Sequence, residues 1–279
     1  MRIAVSNIAW PSGADAEALA ILRQHGASGV ELAPTKVWPR PLRAAPAEVA
    51  RYRQWWESRG FPIVALQALL FGRPDLVLFG PAETRDAAVE YLEGVLALAG
   101  RLGAYALVLG SPGNRRRGAL DAAAATQLAV PFFHRLGEAA LRHGVCLCIE
   151  PNPPEYGCDW VTCAGEAAAL VDAVGSEGFG LHLDTAAMYL AGDSPSCVTA
   201  AGRRLRHFHV STPFLHGVPG EEGVAYAGFA RALAEQGYSG WVSVEMAEPK
   251  LQPDWRDAVR RALTFVRKTF ADGGLERAA

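Results

Sequence analysis

Glu150, Asp184, His209 and Glu245 stand at or beside the ends of the last four apolar runs of a 279-residue chain, in CLCIE, FGLHLD, LRHFHV and WVSVE. Charged groups are rarely buried in such places unless they are paired or bound to a cation. No Lys or Arg adjoins them at those ends, and carboxylates brought together in low dielectric repel strongly. A divalent cation relieves that repulsion, so the quartet reads as one metal site. Three carboxylates and one imidazole make a hard, anionic donor set suited first to Mn2+ and also to Mg2+ or Co2+; Zn2+ is less distinctive here.

Bringing the four together requires parallel strands. Eight apolar runs can be counted: Ile3–Ile8, Gly29–Ala33, Ile63–Leu69, Tyr105–Gly110, Val145–Glu150, Phe179–Asp184, Leu205–Val210 and Trp241–Glu245. Their Val, Ile and Leu content without strict polar alternation suits strands covered on both faces. Amphipathic segments separate them at intervals of about 25 to 40 residues, the βα pattern of a parallel sheet. Ala88, Leu92, Val95, Ala99 and Leu102 recur at helical steps, as do Val259, Leu263, Val266 and Phe270. Gly26, Gly60, Gly103, Gly144 and Gly237 each follow a helical stretch and precede a strand, where glycine ends a helix. Pro131 predicts a break in the longest helical region, with a fresh helix opening at it. The segment after the first run, SNIAWPSG, lacks a G-x-G-x-x-G fingerprint, which argues against a dinucleotide-binding open sheet. The expected architecture is α/β: a single (β/α)8 TIM barrel spanning residues 1–279, with no linker dividing it.

In such a barrel catalytic groups sit at the C-terminal ends of the strands. Glu150 and Glu245 would come from strands on opposite sides of the mouth, one on each side of a bound keto sugar. A metal with two open positions takes two vicinal oxygens of a polyol and acidifies the carbon next to the carbonyl. One glutamate removes that proton and the other returns it. Return from the opposite face is epimerisation; transfer between adjacent carbons is aldose–ketose isomerisation. The same abstraction also starts a β-elimination, so a dehydratase is the alternative.

Other strand-end residues are candidates for the substrate shell. Glu31 and Gln67 end the second and third runs. His182 shares a strand face with Asp184, as His207 does with His209 and Ser243 with Glu245, so the inner members pack in the barrel or orient their neighbours. Arg115, in GSPGNRRRG, is the best placed of three arginines to clamp a phosphate or carboxylate on an anionic substrate. Trp10 and Trp38 could wall a pocket or simply pack. The apolar segment from Gln67 to Gly80 could be a lid or a subunit contact.

Composition narrows the function classes. Lys plus Arg number 27 against 29 for Asp plus Glu, a formal charge of −2, without the basic field of a nucleic-acid-binding protein. No stretch of roughly eighteen apolar residues reads as a membrane span, and the N-terminus reads as a buried strand rather than a signal peptide. Five cysteines without a scaffold spacing suggest reduced thiols and a cytoplasmic protein. Cys146 and Cys148 read as buried spectators.

The segments GVEL (29–32), CIEPNPPEYG (148–157), LHLDTAAM (181–188), FHVS (208–211) and VSVEM (242–246), together with GEEGVAYAGFARAL (220–233), resemble in this order the xylose isomerase-like barrel superfamily. Within it the resemblance is to the sugar phosphate isomerase/epimerase group that includes ketose 3-epimerases. It implies that Glu150, Asp184, His209 and Glu245 bind the metal, with Glu150 and Glu245 as the acid/base pair, and that Glu31 is a structural or substrate-proximal carboxylate. The substrate shell departs from the ketose 3-epimerase pattern. Ala187 holds the place of a histidine. Tyr156 holds that of a glutamate, with Glu155 just before it. STPFLHG lacks an arginine, for which His216 could stand in. The superfamily also contains endonuclease IV-like phosphodiesterases, whose extra histidines are missing from the ends of the second to fourth runs. A barrel that binds metal and ligand without turnover is a further alternative. Relatives are commonly dimers or tetramers, so a homo-oligomer is expected by analogy.

Overall fold

The computed structural model describes residues 1–220, 223–251 and 254–272. All eight runs form parallel strands: β1 (Arg2–Ser6), β2 (Gly29–Leu32), β3 (Ile63–Leu66), β4 (Ala106–Leu109), β5 (Cys146–Ile149), β6 (Phe179–Asp184), β7 (Leu205–Val210) and β8 (Trp241–Val244). Each pairs with the next, and β1 pairs with β8 to close the barrel. Several are shorter than the apolar runs that announce them, because main-chain pairing stops where the loops turn outward.

The helices are α1 (Asp15–Gln24), α2 (Pro34–Val37), α3 (Pro46–Glu57), α4 (Ala82–Leu102), α5 (Ala122–Arg142), α6 (Ala164–Val174), α7 (Thr185–Ala191), α8 (Ser196–Ala201), α9 (Tyr226–Glu235) and α10 (Trp255–Val266). The α4 positions Ala88, Leu92, Val95, Ala99 and Leu102 are all buried, as are Val259, Leu263, Val266 and Phe270 near the C-terminus. Gly103 ends α4 at φ 77°, a backbone region that costs a residue with a Cβ about 1 kcal/mol or more. Inside the barrel, small side chains (Ala4, Ala65, Ala106, Cys146 and Cys148) pack together beneath the site. All five cysteines are free thiols. No helix among the described residues is long and apolar enough to cross a membrane.

Pro131 does not break its helix: α5 runs through it from Ala122 to Arg142. The proline faces solvent, where water can satisfy the Gln127 carbonyl that loses its partner. The opposite face (Ala125, Ala129, Phe132, Phe133, Leu136) is buried and holds the helix on the barrel. Phe133 stacks on Phe179 of β6 at 4.8 Å between ring centroids, a core contact of the kind whose truncation to alanine costs about 3–5 kcal/mol.

The apolar loop after β3 is explained by its own barrel. Leu69, Leu70, Leu76 and Leu78 join the core. Leu70, Leu76 and Leu78 line one small cleft with Ala88 and Leu92 of α4 and Phe132 and Phe133 of α5. Phe71, 71% exposed, is the exception at the tip. Asn114 pins this loop by donating Nδ2 to the Arg73 and Leu76 carbonyls at 2.7 and 2.8 Å.

Candidate metal centre

Strand register sets the floor of the barrel mouth. Asp184 of β6 is level with His209 of β7, and His209 with Ser243 of β8, while Glu150 and Glu245 lie one residue beyond β5 and β8. Ligand atoms of Asp184, His209 and Glu245 lie within 4.8 Å of one another, as do those of Glu150, His182 and His209. The two groups share His209, so the three carboxylates of Glu150, Asp184 and Glu245 all approach one imidazole. Asp184 and His209 are closed off at 3% and 1% exposure. The side chains of Glu150 and Glu245 keep 15% and 16%.

His209 is held from below. Its Nε2 lies 2.9 Å from Glu31 Oε1 and 3.0 Å from Oε2. His207 Nε2 lies 2.7 Å from the same carboxylate. Burial alone would raise the Glu31 carboxyl; His209 and His207 outweigh it and keep the carboxyl well below its usual range. Burial likewise opposes charging of His209, but Glu31 and Glu245 hold its proton affinity well above the ordinary value. With Nε2 committed to Glu31, Nδ1 is buried without a hydrogen-bond partner, 3.4 Å from Glu245 Oε2. An orphaned nitrogen between carboxylates is what a cation would fill, and a carboxylate behind a ligating histidine is the usual arrangement.

Asp184 has two roles. Its Oδ1 accepts from Ala187 N at 2.8 Å and caps α7, and its Oδ2 accepts from Ser211 Oγ at 2.6 Å. Burial, then the charges of Glu245 and Glu150, push its carboxyl up to about 7. Burial also raises the Glu150 carboxyl. For Asp184 desolvation thus comes first and repulsion from the neighbouring carboxylates second, both effects that a cation would offset.

The proposed substrate shell is only partly at the mouth. Glu31, fully buried, has no face for a ligand and orients both strand-7 histidines instead. His182 is buried, with Nε2 3.4 Å from Glu150 Oε1 and its ring 4.1 Å from that of His209. Burial, followed by the neighbouring His209 and His207, keeps it well below the usual histidine range, favouring the neutral ring. Gln67 is buried and donates Nε2 to Ser6 Oγ. Arg115 is 2% exposed and directs its guanidinium at carbonyls within the loops, so it is not the surface clamp expected for an anion. Glu155 and His216 are exposed on the loops after β5 and β7. Trp10 and Trp38 are buried, their indole N–H groups donating to Asp15 and Glu48 at 2.8 and 2.9 Å. Within the 220–233 segment, Glu221 and Glu222 lie outside the described residues.

Tyr156 occupies the side of the mouth between β5 and β7. Its phenol accepts from Phe214 N at 3.2 Å, and its ring meets Phe214 edge-on at 5.2 Å. Burial and then the charge of Asp184 raise the phenol, with further contributions from Glu150 and Glu245. Phe214 and Leu215 have φ of 58° and 56°, a strained region for such residues. Lys250 Nζ holds the turn by donating to Phe214 O at 2.6 Å.

Sequence reading did not single out Ser211, Asn152 or Gly110. The period-2 signal was available for the first two, each two residues beyond a member of the quartet. Gly110 carries no such signal: it matters because a Cβ there would overlap Glu150 Oε2.

A family model described as xylose isomerase-like TIM barrel matches residues 19–269. No curated protein matches the chain by sequence. Among solved structures, D-psicose 3-epimerase with D-tagatose from Clostridium cellulolyticum H10 is similar, with a TM-score of 0.80 at 17% identity over 97% of this chain and 99% of that one. The IOLI protein with a binding zinc atom gives a TM-score of 0.79 at 19% identity, covering 98% of this chain and 99% of that one. The apo form of the 3-keto-D-glucoside 4-epimerase YcjR from E. coli gives 0.78 at 16% identity, covering 96% and 99%.

Proposed function

For a chain that belongs to the xylose isomerase-like TIM barrel family, we propose the function of a divalent-metal-dependent isomerase or epimerase acting on a sugar, sugar phosphate or related keto-polyol. Glu150, Asp184, His209 and Glu245 hold the metal, and the hard donor set suits Mn2+ first. When bound, the metal polarises the substrate carbonyl and lowers the barrier to removing the neighbouring proton.

One observation carries the reading. Within a quartet whose Asp184 and His209 are closed off, the Glu150 and Glu245 side chains retain 15% and 16% exposure. They are the two carboxylates that can reach a substrate. One takes the proton from the carbon beside the carbonyl, and the other returns a proton to the opposite face or to the adjacent carbon. Asp184, tied to α7 and Ser211, and His209, tied to Glu31, stay fixed while this happens. The neighbours named as sugar epimerases support this reading by their fold.

Tyr156 and Phe214 shape the side of the mouth where ketose 3-epimerases carry a glutamate and an arginine. The test is incubation of the Mn2+-loaded protein in D2O with keto sugars, sugar phosphates and keto-polyols. The proposal expects deuterium at the carbon beside the carbonyl and a changed stereocentre or carbonyl position. Loss of one water from the product would assign a dehydratase instead.

A further inference from the structure

Arg115 has five N–H donors, and all five are engaged. Nε donates to Gly110 O at 2.6 Å, and Nη1 to the Trp160 carbonyl and to Val161 O at 3.3 Å. Nη2 donates to Glu150 O at 2.6 Å and to Asn152 Oδ1 at 3.1 Å. A buried cation surrounded by main-chain oxygens binds the end of β4 to the loop after β5. Ser111, at φ 44°, turns the chain so that Arg115 comes back beneath Glu150.

The contact with Asn152 has a directional consequence. A guanidinium can only donate, so Asn152 must turn its oxygen toward Arg115 and its Nδ2 away. Asn152 Nδ2 in turn donates to the Pro151 carbonyl at 3.3 Å, so the amide ties Arg115 to the main chain directly after Glu150. Gly110 completes the cradle, since a Cβ there would overlap Glu150 Oε2 and come within 3.3 Å of Asn152 Oδ1.

We propose that Arg115 is a positioning residue: it fixes the main chain after β5 and the orientation of the Asn152 amide, and through them the place of the Glu150 carboxylate over Gly110. Its consequence for metal binding and proton transfer rests on the function proposed above for Glu150; the positioning itself does not.

The test uses Arg115→Lys, which keeps the charge and loses the fork, and Asn152→Leu, which leaves Arg115 intact if the first variant fails to fold. Crystal structures of the metal-free variants should show the Glu150 carboxylate moved from its place over Gly110. Mn2+ titration should show affinity weakened about 10- to 100-fold, as for other groups that orient a ligand. On a Glu150→Gln background, Asn152→Leu should cause little further loss. A Glu150 carboxylate left in place in the Asn152→Leu crystal, or full additivity with Glu150→Gln, would overturn the inference. Because the carboxylate position is read without metal or substrate, failure of deuterium exchange in the wild type would overturn the proposed function and leave this test standing.

Discussion

The carboxylate of Glu31 lies 2.9 Å from His209 Nε2, and this contact determines which nitrogen of the imidazole faces the site. Nε2 points down into the barrel, so Nδ1 points at Glu245. Glu31→Gln keeps the size of the side chain but removes the charge and replaces one acceptor with a donor. Mn2+ affinity should fall about 10- to 100-fold by calorimetric titration. An unchanged affinity would mean that Glu31 does not orient the ligand.

Asp184 should make the metal-free protein sensitive to pH. Its carboxyl is raised from 3.8 to about 7, so the folded state holds the proton more tightly than the unfolded state. That contribution to stability is present at low pH and is lost as pH rises through the interval up to about 7. Asp184→Asn resembles the protonated form and can still cap α7. Without metal, the variant should melt above wild type at pH 8, and the difference should shrink toward pH 5. A difference that grew as pH fell would contradict the assignment.

Mn2+ should reverse that ordering. Added at pH 8, it relieves the repulsion among Asp184, Glu150 and Glu245, and binding to the native state alone raises stability by mass action. Wild type should gain several degrees in melting temperature and Asp184→Asn much less. Equal gains in both would place the ion elsewhere.

Pro131 offers a test of the fold remote from the site. It lacks the N–H that would reach the Gln127 carbonyl in the middle of α5. Pro131→Ala restores that bond, at the expense of a more flexible unfolded chain. Urea unfolding should show a net gain of about 1–2 kcal/mol, below the full proline penalty of roughly 3 kcal/mol. A loss of stability would show that the ring packs better than its exposure indicates.

The barrel was legible because each strand is a contiguous apolar run and helices such as α4 and α10 carry a periodic one. The quartet was legible for the same reason: a charged residue at the end of such a run is conspicuous, and strand order places four of them together. Arg115 was not. Three arginines in a Gly-rich stretch read as a solvated or anion-binding loop, and only tertiary contacts reveal that this one is enclosed by carbonyls from a different loop. Pro131 misled because local chemistry predicts a break, whereas the buried face of α5 outweighs one lost hydrogen bond. The apolar loop after β3 was ambiguous because hydrophobicity shows that a segment will be covered, without showing by what.

The central claim is that Glu150 and Glu245 exchange a substrate proton beside a carbonyl with the help of a bound divalent metal. Proton NMR in D2O measures this directly, using Mn2+-loaded protein that is stripped of metal before spectra are recorded. Loss of one carbon-bound proton signal beside the carbonyl is predicted for a keto-polyol substrate. The rate should fall about 100-fold or more in either Glu150→Gln or Glu245→Gln and vanish on chelation before incubation. Exchange that persists undiminished in both variants, or its absence across keto sugars, sugar phosphates and keto-polyols with metal demonstrably bound, would contradict the account.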